Sequence, residues 1–576
     1  MKYPYLNEIT KTREMTNMFG GYNHNFRIGD GEFYDMRNLT SNAYPVLSPR
    51  GPRGSLSSLG SNVQGMIGKG IFCFVDGADF VVGERRMKMG FSIDEKPKRL
   101  ISMGAYVIIM PDKKYVNTAD TEDFGSLEAS FETTEKTVFT LCKQDGTDFG
   151  EMTVGKTAPK SPENTALWLD TSAEPCVLKQ YSEAGASWVT VISTYIKISS
   201  AGIGKDFSAG DGITLSGIEK ESLSFLNGTM VLHDRGDDHL VVTGILEGSV
   251  TQENAVTVAR RMPNMDFLTE AGNRLWGCRY GTDINGNTVN EIYASKLGDF
   301  KNWNTFMGVS TDSYAASVGT DGAFTGAVTH LGYPIFFKEN CMHKIYGSYP
   351  ANFQIQDTAC RGVQNGCAES LAIVREVLYY KSRNAVCAYD GSLPAEISAP
   401  LGDTVYSDAA AGVLGNKYYI SMRRSDGTYH LFVYDTARGM WHKEDETQAV
   451  QFASYDGNLF FLHKGKIQSV LGTDTKERVR WMAETGLLAT ESPDKKYIAG
   501  LDIRLSLSVS SEIDFYIEYD SSGEWEHLQT VIGNGTGSFS VPIRPRRCDH
   551  LRLRIEGKGD AKIFSICKTM EEGSAV

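Results

Sequence analysis

The sequence predicts an all-β protein: a β-propeller with an inserted β-rich domain and a C-terminal β-sandwich. Three observations carry that prediction. Glycine is abundant, 59 residues against 17 prolines in 576, and scattered, so turns punctuate the whole chain. Short apolar runs rich in aromatic and β-branched residues recur between those turns, which is the strand signature. From Tyr333 onward the runs come in pairs that restart roughly every 40 residues, the period of four-stranded propeller blades.

The first two copies are the weakest: Gly68-Lys69-Gly70-Ile71-Phe72-Cys73-Phe74-Val75-Asp76-Gly77 and Gly104-Ala105-Tyr106-Val107-Ile108-Ile109-Met110. Asn273–Cys278 with Glu291–Ser295 and Trp303 forms a clearer one. Tyr333–Phe337 pairs with His343–Gly347, and Val377–Tyr380 with Val386–Gly391. Asn416–Ser421 pairs with Leu431–Asp435 and closes on Trp441, and Asn458–Leu462 pairs with Lys466–Val470. About seven units can be counted. A run of separate sandwiches is the alternative reading. No helix-length amphipathic pattern interrupts 324–470, which argues against an α/β enzyme.

The expected boundaries follow. Residues 1–126 hold an N-terminal closing strand and the first blades, and 258–475 the remaining blades. Residues 127–257 differ in character: they are richer in Thr, Ser and Glu and not blade-like at their opening, and read as a β-rich domain inserted in a propeller loop. Residues 479–576 read as a β-sandwich. There Leu551-Arg552-Leu553-Arg554-Ile555 alternates strictly, with both arginines on one face.

Fifty-eight Lys+Arg against 71 Asp+Glu leave a net charge of -13. An acidic surface repels a phosphate backbone, which disfavours a conventional nucleic-acid reader yet suits a conduit past which DNA slides. The ten cysteines contain no CxxC pair and several lie in apolar runs, so they read as reduced core residues of a chain made in a cytoplasm. The segment Met1–Glu8 lacks the apolar core of a signal peptide, and no stretch has the length of a transmembrane helix.

Catalytic motifs are absent: GxSxG, HExxH, the P-loop and the Rossmann glycines do not occur. No catalytic, cofactor-binding or metal-binding residue is therefore singled out, no cofactor is expected, and the chain is read as a non-enzyme. Asp76, Asp390 and Asp435 recur at strand ends before turns, where their side chains can cap backbone N–H groups. A glycosidase needs two carboxylates facing a cleft, and propeller blades can bring distant residues together. Trp525 and Tyr519 are candidates for stacking on a sugar, with packing on their own sheet as the plainer role. Arg544, Arg546 and Arg547 form a basic cluster.

Phe19-Gly20-Gly21-Tyr22-Asn23, Ile28–Phe33, Asp35-Met36-Arg37-Asn38-Leu39 and Tyr44–Arg50 together resemble the opening of phage tail nozzle, tail-hub and packaged-DNA stabilisation proteins, of the type G-G-x-N … N-L … L-x-x-R. Asn290–Trp303 resembles their blade phrase S-x-x-G-D-x-x-x-W. Leu167–Thr171 with Trp188-Val189, and Gly210–Gly217, resemble modules of phage tail and tail-fibre proteins. Phe26-Arg27-Ile28-Gly29 resembles the Arg-Ile-Pro motif of sialidase propellers without its proline. Thr320-Asp321-Gly322-Ala323-Phe324 is the nearest approach to their Ser-x-Asp-x-Gly-x-x-Trp box and misses its spacing.

The tail-protein resemblance implies a structural virion protein, synthesised in the host bacterial cytoplasm. It would form a homo-oligomeric ring, six copies by analogy, at the tail axis as nozzle, hub or head–tail connector. It would contact portal, adaptor or other tail proteins, insert in no membrane, and continue and close the channel for passing genomic DNA. In physical terms the opening phrase is expected to close the ring against the last blade. A peripheral receptor- or glycan-binding tail protein is the alternative, with a propeller glycosidase ranked below both.

Overall fold

The computed structural model describes residues 11–56, 60–90, 97–283, 285–472, 478–490 and 495–572, so the Met1–Glu8 segment lies outside the described residues. The regular structure of the described chain is almost wholly antiparallel strand, with five short 3-10 turns. Its fold class is all-β, of the propeller type, with an inserted β-rich domain and a C-terminal sandwich. Seven four-stranded sheets of the blade kind occur among the described residues, at 63–88, 99–126, 267–317, 326–359, 372–396, 406–443 and 451–469, the last completed by Gly54–Ser55. Each expected hairpin forms, with turn glycines such as Gly70 and Gly104 between its strands. The chain divides into two compact units: 1–100 with 337–342 and 358–576, and 101–336 with 343–357.

In the first unit, the 451–469 sheet supplies three strands and takes its fourth from far upstream, Gly54 opposite Ser469 and Ser55 opposite Gln468. Val63, Met66 and Phe74 of the 63–88 blade share a core with Ala453, Leu462 and Ile467. The strand that completes the last blade is therefore Gly54–Ser55, not the Phe19–Arg50 phrase. That phrase joins the C-terminal sheet instead, with Met36 opposite Ala483, and the strand just before it, Lys11–Thr16, pairs with Ala561–Glu572 of the same sheet. Phe33, Met36 and Leu39 are all but inaccessible to solvent in that position, so their apolar surface is spent there.

The polar residues of the phrase fasten it. Asn38 adopts a left-handed backbone (φ 55), which asparagine tolerates better than most residues. Its amide N–H donates to Glu444 O (2.7 Å), its side chain donates to Arg480 O (2.8 Å), and it accepts from Arg50 Nε (2.9 Å). Gly21 sits at φ 89 with Trp441 O only 2.4 Å from where a Cβ would stand, so a side chain there would break the contact.

Lys496–Tyr519 pairs along its first half with Ala561–Glu572 and along its second with Leu551–Lys558, so one long strand serves both halves of the C-terminal sheet system. Leu551, Leu553 and Ile555 point into its core, and Arg552 and Arg554 leave on the other face to meet Glu484.

The second unit carries the 101–126 and 267–317 blades, most of the 326–359 blade, and the inserted domain. The insertion is an eight-stranded sheet spanning 129–260, wrapped on a core that includes Phe139, Ile198, Phe207, Leu215 and Leu240. A small four-stranded sheet spans 152–190. Two phrases noted in the sequence meet here. Asn302 of Asn290–Trp303 donates to Asp211 Oδ1 (2.8 Å) and accepts from Gly212 N (2.9 Å), locking the start of the Gly210–Gly217 segment onto the third blade.

Candidate functional site

The 267–317 blade starts from an unusual anchor. Asp266, the residue before the innermost strand Phe267–Ala271, donates its amide to Cys278 O (2.8 Å), and its Oδ2 accepts from Tyr280 N (2.8 Å). The approach is made possible by Gly277, where a Cβ would stand 1.9 Å from Met265 Sδ, so the thioether lies flat on the strand just before Asp266. Partial desolvation, the largest influence, pushes the Asp266 carboxyl above the ordinary aspartate value although the residue reaches solvent. The Tyr280 amide and the Arg279 charge oppose it and do not cancel it.

Tyr280 lies opposite Asn290 on the neighbouring strand, and both reach the loop that leads to the next blade. The Tyr280 phenol donates to Asp321 Oδ1 (3.1 Å), which also accepts from Gly322 N (2.7 Å). Asn290 Nδ2 donates to Val318 O (2.9 Å) and Thr320 O (2.6 Å). Thr320 Oγ1 is 3.0 Å from His343 Nε2, and His343 Nδ1 is 2.5 Å from Asp357 Oδ1. The hydroxyl–imidazole–carboxylate line pins the loop: His343 is fully buried beneath it and only Asp357 is well exposed.

One tyrosine thus holds two exposed carboxylates, Asp266 by its backbone and Asp321 by its phenol. In an up-and-down blade, the start of the first strand, the end of the second and the exit loop share one end. Asp266, Tyr280 and Asp321 therefore stand at the same end of the third blade. Among the described residues no group of three His, Cys, Asp or Glu side chains is placed to hold a metal ion.

The residues noticed in the sequence fall elsewhere. Trp525 carries the Arg554 guanidinium 4.0 Å above its ring, which takes one of its faces, and Tyr519 is buried with Arg546 at 5.5 Å and offers no open face for a sugar. Asp390 accepts from Ser392 N (3.0 Å) and Asp435 from Ala437 N (3.1 Å), the geometry of turn caps, whereas Asp76 accepts from Asn62 N (3.0 Å), far upstream of its own turn, and pairs with Arg86 (2.7 Å). None of the ten cysteines is in a disulfide, and seven of them are buried. Asp321 belongs to the Thr320–Phe324 segment that was compared with the sialidase box. Asp266 and Tyr280 escaped sequence reasoning altogether.

No family model and no curated protein matches the chain. Among solved structures it is similar to an exo-β-1,3-galactanase of Phanerochaete chrysosporium, at 9% identity over 52% of this chain and 94% of that one, TM-score 0.20. It is similar to an engineered GH43 glycoside hydrolase with endo-xylanase and exo-arabinofuranosidase activity, at 9% identity over 53% and 97%, TM-score 0.20. It is also similar to a Trypanosoma rangeli sialidase, at 7% identity over 82% and 91%, TM-score 0.23. These findings correct two expectations, that the chain is a structural ring at a phage tail axis and that it is not an enzyme: the matched structures are glycoside hydrolases and a sialidase, with no virion protein among them. At such identities and TM-scores the likeness carries no chemistry across, which has to come from the residues themselves.

Proposed function

We propose that the chain is a carbohydrate-active propeller that hydrolyses glycosidic bonds at the end of the third blade, with Asp266 as general acid and Asp321 as general base. The observation that supports this reading is the pair itself. Glycoside hydrolysis needs one carboxyl that keeps its proton and a second that takes one from water. Asp266 is the carboxyl of the pair pushed toward its protonated form, and Asp321 is held by two donors, the role of an acceptor. In the step, Asp266 gives its proton to the glycosidic oxygen as the bond to the anomeric carbon breaks. Asp321 takes a proton from the water whose oxygen joins that carbon. Tyr280 keeps the two side chains in register.

Reducing-sugar release from a panel of bacterial and plant polysaccharides tests this. At least one polysaccharide is expected to be cut, and Asp266→Asn and Asp321→Asn should each lower the rate by about a hundredfold or more. Release from none of the panel, or release that both variants retain, would overturn the reading.

A further inference from the structure

We infer that the pocket beside this site takes an anionic sugar unit, one bearing a carboxylate or a sulfate; the inference rests on the glycan-cleaving reading above. A cavity of about 460 Å3, within the range of small-molecule sites, is lined by Lys113, Glu128, Ser130, Arg260, Arg261 and Asn264 among others. Most of its charge is already committed. Arg260 is buried against Asp211 at 2.5 Å, with Asn302 holding the other Asp211 oxygen. Lys113 Nζ donates to Glu128 (2.7 Å), Met262 O (3.0 Å) and Asn264 Oδ1 (3.1 Å), and Glu128 also accepts from Met262 N (3.1 Å). Arg261 is exposed and makes no hydrogen bond or ion pair among the described residues.

The pocket therefore keeps one surplus positive charge on a chain whose net charge is -13. A planar guanidinium with its donors unspent matches a carboxylate or a sulfate two bonds at a time, and a neutral hydroxyl uses it poorly. Placement links the pocket to the chemistry. Lys113 lies in the turn between Tyr106–Met110 and Lys114–Asn117, and Arg261–Asn264 is the return from the insertion, ending two residues before Asp266. Both positions stand at the blade end where the innermost strands start, so a sugar seated on Arg261 lies next to the bond that Asp266 would protonate.

Calorimetric titration of the full chain with tetragalacturonate, a chondroitin sulfate tetrasaccharide and neutral xylotetraose tests this. At least one anionic probe should bind more tightly than xylotetraose, weaken as salt is raised, and lose about tenfold or more in Arg261→Gln. A response to tetragalacturonate alone assigns a carboxylate, and a response to the sulfated probe alone a sulfate. Equal affinity for neutral and anionic probes, no binding of either anion, or unchanged binding by Arg261→Gln would overturn it. The two readings fail separately. Arg261-dependent binding without cleavage of any glycan condemns the hydrolytic reading alone, and cleavage indifferent to Arg261→Gln condemns the anionic sugar alone.

Discussion

In the first unit Glu444 and Asp445 are buried against Arg50 and Arg53, with contacts of 2.7 and 2.8 Å to Arg53 and 3.6 and 3.4 Å to Arg50. In the second unit Asp266 and Asp321 reach solvent, and they accept hydrogen bonds from amides and a phenol. Asp445 and Asp266 titrate in opposite directions for that reason. Burial alone would raise Asp445, but Arg53, the Thr447 hydroxyl and Arg50 outweigh it and hold the carboxyl below its usual range. Asp266 has only a neighbouring Arg279 and an amide to set against desolvation, and rises. A carboxylate neutralised on several sides can hold a fold together but has no proton to offer. One left short of compensation is a poor staple and a usable acid.

The largest expected effect breaks the first pair. Arg53→Met leaves Glu444, 3% exposed, without its nearest counter-charge, and should cost about 3–5 kcal/mol in urea unfolding. Asp266→Asn should stay within about 1 kcal/mol of wild type, since it removes an exposed carboxyl with no salt bridge. Equal losses in the two variants would erase the distinction between staple and site.

A pH series sharpens the same contrast. Asp445 has a depressed folded value, so its contribution is fully present above the unfolded value of about 4 and is lost as pH falls through the folded one. Asp266 has a raised folded value. Its folded form binds the proton more readily than its unfolded form, so stability declines as pH rises from about 4 through the folded value and is flat beyond. Urea midpoints measured from pH 3 to pH 7 should show a shallower acid limb in Asp445→Asn and the loss of the opposing slope in Asp266→Asn.

The sequence discloses the elements far better than their partners. Alternation such as Leu551-Arg552-Leu553-Arg554-Ile555 and turn glycines such as Gly70 mark strands and their ends, because period two and left-handed turns leave local traces. Gly54–Ser55 leaves none: two residues on an outer edge need no apolar face, so the strand that completes the last blade is invisible until its pairing with Gln468–Ser469 is seen. The opening phrase shows its apolar residues but not that Met36 lies against Ala483, more than 400 positions away. The site is hidden for a related reason. Asp266, Tyr280 and Asp321 come from a strand start, a strand end and a loop, and their common feature is the reach of one tyrosine. Asp321 stood inside a segment set aside for missing a motif's spacing, though its chemistry needs no motif.

A middle-sized effect is expected where packing supports the site. Gly277→Ala places a methyl group 1.9 Å from Met265 Sδ, so the thioether must move from the strand that positions Asp266. The expected cost is about 1–3 kcal/mol in unfolding, together with a shift in the pH dependence of any glycan cleavage as Asp266 is repositioned. A stability loss with an unmoved pH profile would mean that Met265 packs there without setting the surroundings of Asp266.

The smallest effect tests the charged side of the comparison at an exposed place. Arg554 is held by Glu484 at 3.1 and 2.8 Å and lies 4.0 Å over Trp525, which is partly exposed. The ring supplements an arginine already bound in two places, so Trp525→Ala should cost only about 0.5–1 kcal/mol in unfolding. It should also leave the binding of tetragalacturonate and of the chondroitin sulfate tetrasaccharide unchanged, because Arg554 already occupies one face of the ring and the anionic probes are expected at Arg261. A selective loss of glycan binding in Trp525→Ala would mean that Arg554 yields its place to a sugar. The C-terminal sheet would then have to be counted as a second binding surface, and paired charges would no longer separate scaffold from site.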